Sequence, residues 1–255
     1  EKEVTGNRTT NEDWAYTFTN LPKYNENGDE YIYKIEEEIT ENAHLYQKQI
    51  STVIMAEGME KFNVTNTFNV PDDKIEVPAT KHWEDNSNAN YKRPTSIKYV
   101  LKGGAAPVEK VVSGNTTTDE NWGYTFTDLP KYNQAGDLIR YTIEEQEVNA
   151  NDLKFYTKSI RGYNVTNTFS VPDEKVEVQV NKTWADDNNA NAKRPASVKY
   201  VLTGNGQTQE KVVSGNTTTD ENWSYKFTEL PKYNDQGNEI VYTLDEQEVN
   251  PGDFK

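Results

Sequence analysis

The stretch Asn164-Val-Thr-Asn-Thr-Phe169 decides the reading of this chain, and it occurs a second time, unchanged, as Asn63–Phe68. Side chains alternate between the two faces of a strand. Val165, Asn167 and Phe169 therefore share one face, as do Val64, Asn66 and Phe68. An amide between apolar neighbours on an inward face must find partners or destabilise the fold. Such a strand closes a repeated domain, and the question is what its Asn meets.

Self-similarity runs through the rest of the chain. Glu109–Trp122 returns as Glu210–Trp223 with the same fourteen residues, and Leu-Pro-Lys-Tyr-Asn starts at Leu21, Leu129 and Leu230. Lys-Arg-Pro starts at Lys92 and Lys193. The later copies are offset by 101 residues (Lys81 to Lys182). The first is offset by 108 at Glu37/Glu145 but by 101 at Asn66/Asn167, which implies a seven-residue insertion between Ile39 and Glu60. That insertion, with Met55 and Met59, reads as a helical turn or a longer loop. Three domains follow: 1–70, without its first strands; 71–171, complete; and 172–255, without its last strand. Val-Pro-Asp at Val70 and Val171 opens each new unit, and its Pro stiffens the joint.

Within the complete unit, Ile75, Val77, Ala79, Lys81 and Trp83 share one face, and Pro78 predicts an edge position for their strand. The third unit repeats this face as Val176, Val178, Val180, Lys182 and Trp184. Ile97/Tyr99/Leu101, Val108–Val112, Trp122/Tyr124/Phe126, Ile139/Tyr141/Ile143/Glu145 and Phe155–Ile160 supply further short alternating strands. Their spacing predicts an all-β, two-sheet sandwich. Trp14, Trp122 and Trp223 each begin an inward Tyr/Phe alternation and read as core rather than as a carbohydrate platform.

Three polar residues continue inward apolar faces: Lys81, Glu145 and Asn167. The third unit keeps Lys182 and Glu246, and the first keeps Glu37 and Asn66. Two readings stand side by side. One is a buried Lys–Glu ion pair with the Asn as hydrogen-bond partner. In the other, burial neutralises the amine and the acid. The Lys81 amine then attacks the Asn167 amide carbonyl and expels ammonia, with Glu145 as acid and base.

Composition excludes other classes. A net charge of −15 on 255 residues argues against nucleic acid and anionic membranes as partners. There is no cysteine, hence no disulfide and no thiolate metal site. No apolar run reaches membrane-span length. The absence of a signal peptide and the start at Glu1 read as an excerpt of a longer protein. The Asp/Asn-rich loops Glu84–Asn88 and Ala185–Asn189 lack the Gly and terminal Glu of an EF-hand and read as solvated turns. The glycosylation sequons at Asn7, Asn63 and Asn115, among others, carry little weight. No cofactor, metal centre or turnover chemistry is expected.

The ordered set Val178-x-Val-x-Lys-x-Trp184, Asp/Asn-rich loop, Arg-Pro, Trp122-x-Tyr-x-Phe126, Leu-Pro-Lys-Tyr, Tyr141-Thr-Ile-x-Glu145 and Val165-Thr-Asn-Thr-Phe169 resembles the B-type repeats of Gram-positive collagen adhesins (CnaB-type domains). The resemblance implies tandem inverse-immunoglobulin-like (prealbumin-like) sandwiches with an internal Lys–Asn bond assisted by an acid. By position it assigns Lys81, Glu145 and Asn167, with Lys182 and Glu246, and Glu37 and Asn66, in the other units. The role it implies is a stalk in an extracellular, wall-anchored surface adhesin or fibre. Its partners would be adjacent repeats and, through a separate tip, host matrix proteins. The alternatives are repeats that bind host ligand themselves, or a neighbouring chain donating Asn66 to Lys182.

Overall fold

The computed structural model describes residues 1–54 and 60–253. It divides into two compact units, Glu1–Pro71 and Asp72–Lys255. Strands make up the regular structure, apart from one 3-10 turn at Ala43–Leu45. Among the described residues, no helix is long and apolar enough to cross a membrane.

The second unit opens with a full sandwich. One sheet contains β3 (Lys74–Glu84), β6 (Tyr124–Pro130), β8 (Tyr156–Arg161) and β9 (Asn164–Phe169) in the order β6-β3-β9-β8. The other contains β4 (Ile97–Lys102), β5 (Val108–Val112) and β7 (Thr142–Glu147) in the order β5-β4-β7. Val77, Ala79 and Trp83 from the first sheet pack on Ile97, Tyr99, Leu101 and Ile143 from the second, around the fully buried Trp122. β3 and β9 are parallel neighbours, with Lys81 opposite Val165 and Trp83 opposite Asn167. Parallel neighbours need a long crossover, and here the crossover is nearly the whole repeat.

β3 is not an edge strand, contrary to the expectation from Pro78. It pairs with β6 over Lys74–Ala79 and with β9 over Thr80–Glu84. Pro78 lies in the first half, where only β6 is alongside and the other side of the backbone has no ladder partner. The ring is tolerated because the position is locally an edge. Beyond it the alternation is unbroken, with Val77, Ala79, Lys81 and Trp83 all buried.

The third repeat forms β10 (Lys175–Val180) with β13 (Tyr225–Pro231), and β11 (Val198–Gly204) between β12 (Gln207–Val213) and β14 (Thr243–Glu248). Its first strand stops at Val180, short of the predicted Lys182 and Trp184. The residues after Val180 correspond to the half of β3 that pairs with β9, and no such partner exists among the described residues of this repeat. Within this unit, Phe155 packs edge-on against Tyr233 of the third repeat. Lys154 bridges the Tyr233 hydroxyl at 2.6 Å and Glu174 at 2.8 Å.

The first unit has one hairpin, β1 (Tyr46–Ile54) with β2 (Glu60–Phe68). Trp14, Tyr16 and Phe18 match Trp122, Tyr124 and Phe126, yet form no strand and are 51%, 51% and 42% exposed. Trp14 is thus not core. No counterpart of β3 or β4 is present among the unit's described residues to pair with this segment or cover it. The insertion resolves into two opposed changes: from Tyr46 to Phe68 the hairpin is nine residues longer than from Tyr156 to Phe169, and the Glu37–Tyr46 connection is two shorter than Glu145–Tyr156. Among the described residues the added length lies in the strands, with 9 residues each in β1 and β2 against 6 each in β8 and β9. The helical turn or longer loop expected around Met55 and Met59 falls on residues outside the described ones.

Local motifs survive in all three repeats. The indole N–H of Trp14, Trp122 and Trp223 donates to the backbone carbonyl of Asn7, Asn115 and Asn216 at 2.7, 2.7 and 2.8 Å. The glycine before each Asn lies flat on the indole. A Cβ on Gly114 would fall 2.3 Å from the Trp122 ring. Because Trp122 is fully buried and cannot yield, Gly114→Ala is expected to destabilise the complete repeat by about 1–3 kcal/mol. Denaturant unfolding followed by tryptophan fluorescence checks this.

Candidate functional site

Glu145, Asn167 and Lys81 are 1%, 0% and 7% exposed, in a core otherwise apolar and aromatic. β3 supplies the amine and its neighbour β9 the amide, on the same inward face. β7 brings the carboxyl from the opposite sheet. Lys81 Nζ lies 3.7 Å from Glu145 Oε1, and both side chains are fully covered. The amine stands over the Trp83 ring, 3.8 Å from its centroid, and donates to the His82 carbonyl at 3.0 Å. Tyr99, the cross-strand partner of Glu145, is itself buried and donates its hydroxyl to the Trp122 carbonyl at 2.8 Å.

Both Glu145 carboxyl oxygens and both polar atoms of the Asn167 amide are buried without a hydrogen bond inside the chain. Orphaned polar atoms in a core are costly, and each calls for an explanation. Burial drives the Lys81 ammonium from its ordinary 10.5 down to about 8, against the pull of the Glu145 and Asp119 carboxylates. Such an amine is roughly one-tenth neutral at pH 7, far more than an ordinary lysine, and only a neutral amine has a lone pair to offer.

The other repeats carry partial versions. In the third, Lys182 Nζ is 3.0 Å from Glu246 Oε1, with the two side chains 18% and 30% exposed, and the amine again stands over a tryptophan, Trp184, at 4.0 Å. In the first, Asn66 donates its amide N–H to Glu37 Oε1 at 2.9 Å, and Glu37 Oε2 is buried without a partner. The acid and amide find one another there without a lysine. Glu144 faces outward to Lys102, as its parity predicts.

Two features escaped the sequence reading. The loop after β3 is not a solvated turn. Arg93 grips the Asp85 carboxylate with two 2.6 Å hydrogen bonds, and Asn88 accepts from the backbone N–H groups of Lys92 and Arg93. The Arg93 guanidinium lies 5.3 Å from the Trp83 ring centroid, and Tyr156 donates to Asp85 at 3.0 Å. Arg194 and Asp186 repeat the grip beside Trp184. With both oxygens of Asp85 held by Arg93, the loop is a brace for the tryptophan rather than a cation site. No cluster of three or more His, Cys, Asp or Glu suited to a metal exists among the described residues. The Arg-Pro motif eight residues after Asp85 was the available signal. The second missed feature is Lys158, whose Nζ donates to the Glu145 backbone carbonyl.

A chain of tandem β-sandwich repeats, with an amine, an acid and an amide closed into the core, is a repeat protein in architecture. The chain belongs to the Cna protein B-type domain family, whose model matches residues 1–67, 77–168 and 178–254. It is 33% identical over 252 residues to a collagen adhesin of Staphylococcus aureus, covering 98% of this chain and 19% of that protein's length. Two solved structures from the collagen-binding protein of the same organism are also similar. A single B repeat unit is 30% identical, covers 71% of this chain and 89% of its own, and has a TM-score of 0.32. A two-repeat structure is 28% identical, covers 94% and 58%, and has a TM-score of 0.34.

The Asp85–Arg93 brace has a pH signature. Burial works to raise the Asp85 carboxyl, but the hydrogen bonds from Arg93, Asn88 and Tyr156 outweigh it and hold it below the usual carboxylate range. A depressed folded value contributes stability that is present above the unfolded value of about 3.9 and is lost as pH falls through the folded one. Unfolding midpoints measured from pH 7 down to pH 2 should therefore fall more steeply at the acid end in the native chain than in Asp85→Asn.

Proposed function

We propose that this chain is a stalk segment of a cell-surface adhesin or fibre, in which the complete repeat cross-links itself through an amide bond between Lys81 and Asn167. The observation that carries this reading is the burial of Lys81, Glu145 and Asn167 in one core, with Lys81 Nζ 3.7 Å from Glu145 Oε1 and the carboxyl and amide without hydrogen bonds. The neutral Lys81 Nζ attacks Asn167 Cγ and forms a tetrahedral adduct. Glu145 takes a proton from Nζ and passes one to Nδ2. The Cγ–Nδ2 bond breaks, ammonia leaves, and a secondary amide remains with Glu145 unchanged. No oxidant or cofactor is needed. The reaction is a single turnover on the chain itself, driven by proximity.

Such a bond closes the chain from residue 81 to 167. By analogy with a disulfide, a loop of that length stabilises by roughly 4–5 kcal/mol. The mechanical consequence is larger. Load entering along β3 would pass through the bond directly into the last residues of β9, leaving everything between them unstretched. Sameness of successive repeats (Glu109–Trp122 against Glu210–Trp223) suits a spacer, because a binding module needs a distinctive surface. Adjacent repeats of the parent protein are the natural partners. A matrix ligand such as collagen would be the business of another part of the parent.

Intact mass of the full chain tests this. Only the complete repeat owns all three groups, so one ammonia should be lost per chain. Lys81→Ala or Asn167→Ala should abolish the loss, and Glu145→Ala should slow it by about a hundredfold or more, the usual weight of a positioned acid/base. An unshifted native mass overturns the bond. A covalent dimer on a denaturing gel, absent in Lys182→Ala, would instead favour donation of Asn66 between chains. The rate carries a second check: with the Lys81 ammonium titrating near 8, bond formation should accelerate as pH rises towards that value and level off above it.

A further inference from the structure

A lysine outside this triad stands at the same place in two repeats. Lys158 on β8 is directly opposite Asn167 on β9, and its Nζ crosses between the sheets to donate to the backbone carbonyl of Glu145 at 2.6 Å. In the first repeat, Lys48 on β1 is directly opposite Asn66 on β2, and its Nζ donates to the backbone carbonyl of Glu37 at 2.5 Å. The first repeat reproduces the contact without a β3 or β4 counterpart among its described residues, so the completed sandwich does not dictate it. The sequence carries the pattern as Tyr46-Gln-Lys-Gln-Ile50 and Tyr156-Thr-Lys-Ser-Ile160.

The contact sits where the site is weakest. β7 and β8 are each the last strand of their sheet, and no backbone ladder joins them. A cleft of about 330 Å³ opens beside them, lined by Glu145, Asn167, Tyr156 and Lys158 among others. Glu145 is thus held by β4 on one side only. The Lys158 ammonium ties the free-edge carbonyl of Glu145 to the strand beside Asn167, by a charge-assisted bond of the stronger kind.

We infer that Lys158, with Lys48 as its counterpart, is a positioning residue that straps the acid-bearing strand to the amide-bearing sheet and sets the Glu145 carboxyl over Asn167. This rests on the cross-linking reading above. Lys158 does not touch the reacting atoms. It acts through Glu145, and small misplacement of a catalytic group is expensive in rate.

The test is the time course of ammonia loss in the full chain. Protein made by cell-free synthesis is sampled, quenched in denaturant and weighed, with rates normalised to the folded fraction. Lys158→Met should form the bond about tenfold to a hundredfold more slowly than native chain, while Lys158→Arg, which keeps a cationic donor, should recover most of the rate. Unfolding midpoints in an Asn167→Ala background, where no bond can form, report how much stability the strap alone contributes. Lys158→Met reacting at the native rate overturns the inference, as does a slowing that tracks only the loss of folded protein. A native chain that loses no ammonia removes the cross-linking reading itself, an outcome distinct from either of these.

Discussion

The structure turns on one awkward burial. An amine, a carboxyl and a primary amide occupy the centre of a core built from Val, Ile, Tyr and Trp. Each would be better solvated outside, and an ion pair in such a place tends to lose more in desolvation than it regains in attraction. The fold accepts the arrangement because several of its neighbours are well satisfied. The tryptophan under the amine is braced by Arg93 and Asp85. The tyrosine beside the acid is bonded to the Trp122 carbonyl. Lys158 ties down the free edge of the acid's own strand. Among the described residues of the complete repeat, the buried side-chain polar atoms without a hydrogen bond are those of Glu145 and Asn167 and the indole N–H of Trp83.

Topology gives that burial its reach. Lys81 and Asn167 sit on adjacent parallel strands, and parallel neighbours are far apart in sequence. Antiparallel neighbours in the same sheet, β8 and β9, are joined by a tight turn at Gly162. A tie between those would close only a hairpin. A bond joining β3 to β9 would enclose nearly every other strand of the repeat, so the same local chemistry would have a global mechanical effect.

The alternation of inward residues was legible without coordinates. Period-two patterning placed Lys81, Glu145 and Asn167 on inward faces, and the strand set of the complete repeat followed. Three things were not legible. The Asp/Asn-rich loop has the composition of a solvated turn, and only the three-dimensional return of Arg93 converts Asp85 into a buried anchor. Pro78 reads as an edge residue because sequence cannot show that β3 exchanges one neighbour for another at Thr80. Lys158 was hidden by the changed offset. Tyr46 matches Tyr156 at 110 residues, whereas the flanking landmarks match at 108 and 101, so Lys48 and Lys158 do not align until the register of both hairpins is known. Trp14 fails for another reason: its sequence is right for a core strand, but pairing partners decide whether a strand forms at all.

The three repeats together separate what each strand contributes. In the third, the amine, its tryptophan and its acid are already assembled, yet Lys182 and Glu246 remain partly open to water and 3.0 Å apart. In the complete repeat, where β9 lies alongside β3, the corresponding pair is fully covered and 3.7 Å apart. The covered pair thus goes with the presence of the β8–β9 hairpin and the side chains it brings, Tyr156 and Val165 among them. Water keeps an amine charged and unreactive, and the low dielectric left by its removal favours the neutral form. If the proposed cross-link forms, nucleophile and target would become competent together, as the hairpin that carries the amide docks beside β3.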